Sequence, residues 1–357
     1  MPKELTSVVS STLPCDSVTQ VTQSVPKNVI ICIGDGMGFE KVKAAGLYTH
    51  GREGGLSFEA FPHQAEVTTH SANSDMTDSA AAATAMATGF KVNNGVISTA
   101  LPGDGSELPT LLEECKNHGK NTGLISTTFI THATPAAFGA HEPQRGNLAE
   151  IAGGYLNQTR PNVLLGGGGN GISQIAAEEA GYTVVTDREG MRDLDPETAT
   201  LVSGQFGETN LPYEFDGLGT LPHLSEMTVT ALKILDKDSD GFFLMVEGGR
   251  IDHAGHSNDI QRNVFETIEF SNTVQVAFDW AKERSDTLIL VTADHETGGL
   301  KVLRNNGRGS FPEVSWSTGG HTTVNVPIYG WGLNAERISG VMDNTNLFEV
   351  VTGGPSC

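Results

Sequence analysis

A chain of 357 residues with a formal charge of −21 has room for one large core and a surface that repels nucleic acid and anionic membranes. With 6% aromatic residues and 43 glycines, that core must be built from Val, Ile, Leu and Ala. No run of about 18 apolar residues occurs, so no membrane span is expected; a phosphate substrate stays open, because cations in a pocket reverse the local field.

Met1–Gln23 is rich in Ser and Thr and lacks the basic and apolar regions of an intact signal peptide. Residues 1–26 are expected to form a flexible arm, and residues 27–357 a single domain. Apolar runs then alternate with helix-like stretches. Val29–Ile33, Thr122–Ser126, Val163–Leu165, Phe242–Val246, Thr287–Thr292 and Val326–Tyr329 predict short buried strands. Leu108–Asn117, Leu224–Leu235 and Ile260–Arg284 carry helical spacing, with Ile260, Val264, Ile268 and Trp280 near multiples of the helical repeat. The alternation predicts an α/β fold, a three-layer sandwich with a central, mostly parallel sheet flanked by helices. Residues 157–220 are less regular and predict an accessory region. Within them Gly166–Gly169 lacks a phosphate-loop ending and predicts a tight turn. The four cysteines, Cys15, Cys32, Cys115 and Cys357, form no CxxC pair, which argues against a cysteine zinc site. Cys32 predicts a buried thiol. Cys15 and Cys357 are open to bridging in an oxidising compartment, with the pairing undecided.

The chemistry-bearing residues follow the strands. Val29–Ile33 runs into Gly34-Asp35-Gly36-Met37-Gly38, Phe242–Val246 into Glu247-Gly248-Gly249, and Leu288–Thr292 into Ala293-Asp294-His295-Glu296-Thr297-Gly298-Gly299. Each places an acid just past the carboxyl end of a buried strand, where open α/β sheets keep their ligand crevice. One such acid is an ordinary turn residue; three with histidines nearby suggest a shared metal site. Asp252 and His256 are spaced for one face of a helical turn, and His321 follows Gly319-Gly320. Mixed His and Asp ligands suit zinc, and all-oxygen ligands suit magnesium. His50, His63, His70, His118, His141 and His223 lack such company and read as ordinary residues. Ser79 opens the alanine-rich run Ser79–Thr88, which predicts a helix. A serine there can simply cap the helix. It can also hold an anion against the helix N-terminus, and the acidic strand ends favour that second role, with Ser79 as a nucleophile.

Asp35-Gly36-Met37-Gly38, Thr77-Asp78-Ser79-Ala80-Ala81, Thr131-His132-Ala133-Thr134-Pro135-Ala136, Val246–His253, Thr292–Gly299 and Gly319-Gly320-His321-Thr322 together resemble the alkaline phosphatase family, in the family's order. The resemblance implies two zinc ions and one magnesium. Asp252, His256 and His321 match the ligands of the first zinc, and Asp35, Asp294 and His295 those of the second. Asp35, Thr134 and Glu247 match those of magnesium. Arg145 matches the phosphate-clamping arginine, which suits bidentate contact. His132 and His253 stand where some bacterial members carry Asp and Lys; they are expected to tune the magnesium site and to reach phosphate through water. The implied reaction is hydrolysis of phosphate monoesters through a covalent phosphoserine at Ser79, with an alkaline pH optimum and inorganic phosphate as product inhibitor. Only 25 residues separate His295 from His321, too few for the insert of larger members, so an open site of broad specificity is expected. A homodimer in the periplasm or secreted is implied as well. The alternatives are a phosphodiesterase or nucleotide pyrophosphatase of the same superfamily, usually with a threonine nucleophile, and a non-catalytic phosphate-binding protein. A sulfatase is disfavoured by the context of Ser79.

Overall fold

A computed structural model of the protein describes residues 25–354. Strands β1 (Asn28–Gly34), β2 (His63–Thr68), β3 (Asn121–Phe129), β4 (Val163–Gly167), β5 (Thr183–Val185), β6 (Val202–Gln205), β7 (Phe242–Gly248) and β8 (Thr287–Thr292) precede the short β9 (Glu296–Thr297), β10 (Lys301–Arg304), β11 (Glu313–Ser315) and β12 (His321–Thr322); β13 (Val326–Gly332) and β14 (Val341–Asp343) close the chain. Ten of them form one sheet in the order β14-β2-β13-β8-β1-β7-β3-β4-β6-β5. All its pairs are parallel except those of β13, which runs antiparallel to β2 and β8. The fold is the helix-flanked, mostly parallel sheet that the alternation predicts.

The central strands explain themselves. Every residue of β1, β7 and β8 is buried, as a strand covered on both faces requires. Ile30, Ile31, Leu244, Leu290 and Val291 are fully enclosed, and each contributes roughly 1.5–3 kcal/mol of burial. Leu224–Leu235 is helical over its whole predicted length. The long helix runs Ile260–Ala281 and stops short of Arg284. Leu111–Asn117 starts later than its pattern suggests, because Thr110 and Glu113 close a capping box there.

The stretch 157–220, expected to be irregular and accessory, contains β4, β5 and β6, and these extend the central sheet at one edge. β4 is the predicted strand Val163–Leu165, whereas β5 and β6, of three and four residues, are too short for an apolar run to mark them. The turn expected at Gly166–Gly169 comes later, because Gly166 and Gly167 continue β4; the chain leaves the strand only beyond them, where Gly169 adopts a left-handed φ of 66°. Cys32 and Cys115 are buried free thiols. The expected N-terminal arm up to residue 24, and any bridge between Cys15 and Cys357, lie outside the described residues. Among those described, no helix is long and apolar enough to cross a membrane.

Candidate active site

Parallel register brings the three strand ends level. Ile33 of β1 stands opposite Glu247 of β7 and Thr292 of β8. Asp35 and Asp294 therefore emerge side by side just beyond the sheet, with Glu247, still within β7, two residues lower. Between them the chain turns sharply at Gly36, whose φ of 68° suits glycine. A Cβ there would stand 2.7 Å from Thr297 Oγ1.

Ser79 comes from the side. It is the first residue of helix Ser79–Thr88, whose ten residues are all buried. The small alanines let neighbouring elements close around it. Asp78, not Ser79, caps this helix by accepting from the Ala81 amide at 3.0 Å. The serine hydroxyl is thus left for other work. Its Oγ lies 3.2 Å from His295 Nε2 and 3.5 Å from Asp35 Oδ2.

Around that hydroxyl the donor groups fall into three sets, each with its ligand atoms within 4.8 Å of one another: Asp252 with His256 and His321, Asp35 with Asp294 and His295, and Asp35 with His132 and Glu247. The first two sets are those named from the sequence. The third differs, because His132, expected beside the magnesium site, lies within ligand reach of Asp35 and Glu247. Thr134 leans its hydroxyl toward Glu247, favouring the ionised acid, but its Oγ1 makes no well-directed hydrogen bond.

Two observations fit these sets to cations. First, Asp35 Oδ1, Asp294 Oδ2, Glu247 Oε1 and His132 Nδ1 are buried without a hydrogen-bond partner, although native interiors rarely leave such atoms unsatisfied. Second, the carboxyls are pushed upward by burial foremost, joined by the neighbouring acids: Asp35 well above the carboxylate range, Glu247 to about 7 and Asp294 to about 6. A bound cation reverses that logic. In the first set His256 Nδ1 donates to Gly319 O at 2.7 Å and His321 Nδ1 to Thr77 O at 2.8 Å, so both turn Nε2 toward Asp252. There the Asp252 hydrogen bond lifts His256 to about 9, a proton standing in for a cation. Burial opposes the Asp252 charge, but His256 and His295 hold its carboxyl well below the usual range.

The opposite wall is cationic. Arg145 donates from Nη1 to Asp78 Oδ2 at 3.0 Å and from Nη2 to His132 Nε2 at 3.2 Å. Burial first, and Arg145 second, keep His132 neutral, with its pKa well below the imidazole range. Arg250 donates to His253 Nδ1 at 2.8 Å, which leaves the ring proton on Nε2. Burial and Arg250 lower His253 to about 4. The Arg250 guanidinium is itself held 3.7 Å over the Tyr213 ring. Ser79 is 3% exposed while the His256 side chain is 40% exposed, so the site opens to solvent on the side of the first set.

Sequence reasoning overlooked several residues here. Asp78 touches the clamp Arg145, Arg250 touches His253, and Thr297 touches Asp252 and His295, while Lys41 holds Gly36, Glu296 and Thr297 beside the predicted ligands. Asp78 and Arg250 lie inside motifs already singled out, and their charge was the available signal. His223 was read as solitary, yet its Nδ1 lies 2.8 Å from Glu214 Oε2, with Glu269 close by. Glu214 lies nine residues upstream across a loop and Glu269 sits on the long helix Ile260–Ala281, so no helix or strand spacing links the three.

Comparisons with known proteins bear on the family and the fold. Residues 26–312 match the family model described as Alkaline phosphatase. Alkaline phosphatase 3 of Bacillus subtilis (strain 168) is 32% identical, the alignment covering 96% of this chain and 94% of that protein. The structure of alkaline phosphatase from the Antarctic bacterium TAB5 superposes with a TM-score of 0.83 at 29% identity, covering 94% of this chain and 100% of that one. A His-to-Asp variant of that Antarctic enzyme carries bound Mg.

Proposed function

The chain belongs to the alkaline phosphatase family and is a phosphatase acting on phosphate monoesters; from that premise we propose that it works through a covalent phosphoserine at Ser79, with zinc held by Asp252, His256 and His321 and by Asp35, Asp294 and His295, and magnesium by Asp35, Thr134 and Glu247. The observation that carries this reading is the Ser79 hydroxyl, which leaves its helix cap to Asp78 and faces His295 Nε2 at 3.2 Å. With Asp78 in the cap position and Ser79 first inside the helix, no capping bond claims the serine hydroxyl.

Bound cations supply acidification of the serine hydroxyl and of the attacking water, and neutralise charge on the phosphoryl oxygens. The chain does the rest. The amide-rich N-terminus of helix Ser79–Thr88 and the Arg145 guanidinium receive the non-bridging oxygens. Ser79 Oγ attacks phosphorus in line; its bond to phosphorus forms as the bond to the alcohol oxygen breaks, and the alcohol leaves with a proton. Water then attacks the phosphoserine from the vacated side, and inorganic phosphate departs. Two inversions leave the configuration at phosphorus retained. Neutral His253, its Nε2–H set by Arg250, offers a hydrogen bond toward a water on the phosphate. His132 stays neutral beside Arg145, so it adds no charge against the carboxylates it faces. The solvent-exposed His256 side receives the alcohol, which fits broad specificity. An alkaline optimum follows, because both nucleophiles act deprotonated. The homodimer and the secreted or periplasmic location belong to the same reading and rest on family likeness.

The direct test is acid quenching during turnover of an aryl phosphate, followed by peptide mass analysis. A phosphate adduct on the peptide containing Ser79 is expected; an adduct elsewhere, or an adduct that forms equally in Ser79→Ala, contradicts the mechanism.

A further inference from the structure

Among the described residues, Lys41 is the only lysine wholly shut off from solvent. It projects from helix Phe39–His50 into the base of the site. Its Nζ donates to Gly36 O at 2.6 Å and to Thr297 O, and pairs with Glu296 Oε1 at 3.3 Å. An ammonium has three donors, and here all three are used.

Each acceptor belongs to a loop that carries predicted ligands. Gly36 follows Asp35, and Glu296 and Thr297 follow Asp294-His295. Thr297 Oγ1 donates onward to Asp252 Oδ1 at 2.5 Å. Glu296 also accepts from Thr322 Oγ1 at 2.6 Å, beside His321, and from the Gly299 amide at 3.1 Å. Helix Arg250–His256 closes over the top: a Cβ on Gly255 would stand 3.2 Å from Lys41 Nζ. One ammonium therefore sits where the β1 loop, the β8 loop and the helix bearing Asp252 and His256 converge.

Space filling does not account for a lysine there. Burying an ammonium costs several kcal/mol unless it is paired, and an apolar side chain of the same volume often replaces a buried pair without loss. A positive charge next to cation sites also repels the cations. What no apolar residue can do is fix two carbonyls and a carboxylate at once.

We propose that Lys41 is a positioning residue, which holds the loops bearing Asp35, His295 and Asp252 at the spacing the cation sites require, before any cation binds. This rests on the metal assignment above.

The test replaces both members of the pair, Lys41→Met with Glu296→Gln. Net charge is unchanged, so any loss of metal affinity comes from placement and not from charge. The glutamine keeps an acceptor for Thr322 and Gly299. Zinc affinity of the chelator-stripped protein is measured by competition with a chromogenic chelator, beside its unfolding midpoint. At saturating zinc, kcat and KM are measured separately. The expected result is a folded protein whose zinc affinity falls about tenfold or more, with kcat falling further than KM rises. Zinc affinity within about twofold of the parent overturns the proposal. If that variant does not fold, Lys41→Gln with Glu296→Gln keeps two of the three N–H donors at the same net charge. A loss of about threefold or more is then expected, and parent-like affinity again overturns the proposal. A parent protein that binds no zinc sinks the metal assignment instead, so the two failures are distinct.

Discussion

Arg145 Nη1 stands 3.0 Å from Asp78 Oδ2, and the same Asp78 caps the helix whose first residue is Ser79. One carboxylate thereby sets both the approach of the nucleophile and the aim of the guanidinium. Asn is as good a helix cap as Asp but lacks the charge that anchors Arg145. Asp78→Asn should therefore leave stability within about 1 kcal/mol and weaken inhibition by inorganic phosphate about three- to tenfold. Inhibition constants beside urea unfolding check it. An unchanged phosphate Ki would show that Arg145 is held by something other than Asp78.

Removing the nucleophile separates chemistry from binding. Ser79→Ala should lower kcat by about a thousandfold or more, while phosphate still protects the protein against heat. Near-normal turnover by this variant contradicts the proposed intermediate, and lost phosphate protection shows that the hydroxyl also serves binding.

Much of this site was readable in advance because its ligands ride on local signals. Asp35, Glu247 and Asp294 each close a buried apolar run, and parallel register converts that shared position into proximity. Asp252 and His256 share a helical face. Other parts were hidden for physical reasons. β2 alternates between partly exposed and exposed residues up to Val67, so no apolar run marks it. The role of Lys41 depends on carbonyls contributed by two loops, and its own helix reads as any half-buried surface helix. His132 is placed within ligand reach by the turn after β3, and spacing alone could not orient its ring. Arg145 follows a loop whose course no periodicity predicts.

A structural ion pair away from the candidate metal sites gives a pH signature. His141 Nε2 lies 3.0 Å from Glu113 Oε1. Burial alone depresses the imidazolium, yet Glu113 and the Ser98 carbonyl outweigh it and raise its pKa. Burial likewise lifts Glu113, yet His141 and the Thr110 amide bring it below the ordinary range. The His141 contribution is fully present below about 6.5 and is lost as pH rises through its raised value. The Glu113 contribution is present above about 4.3 and is lost as pH falls through its depressed value. Both act together between about pH 5 and 6.5. Glu113→Gln should cost about 1 kcal/mol at about pH 6 and less than half of that at about pH 9. Equal losses at the two pH values would mean that the pair is not ionic.

The central claim is that a cation-loaded cluster around Ser79 hydrolyses monoesters. It is tested most directly by following a chromogenic aryl phosphate against pH, first after exhaustive chelation and then after zinc and magnesium are returned. Activity should vanish with the chelator, recover fully only with both metals, and climb toward alkaline pH. Undiminished turnover in chelator, or faster cleavage of a bis-aryl phosphodiester than of the monoester, would contradict it.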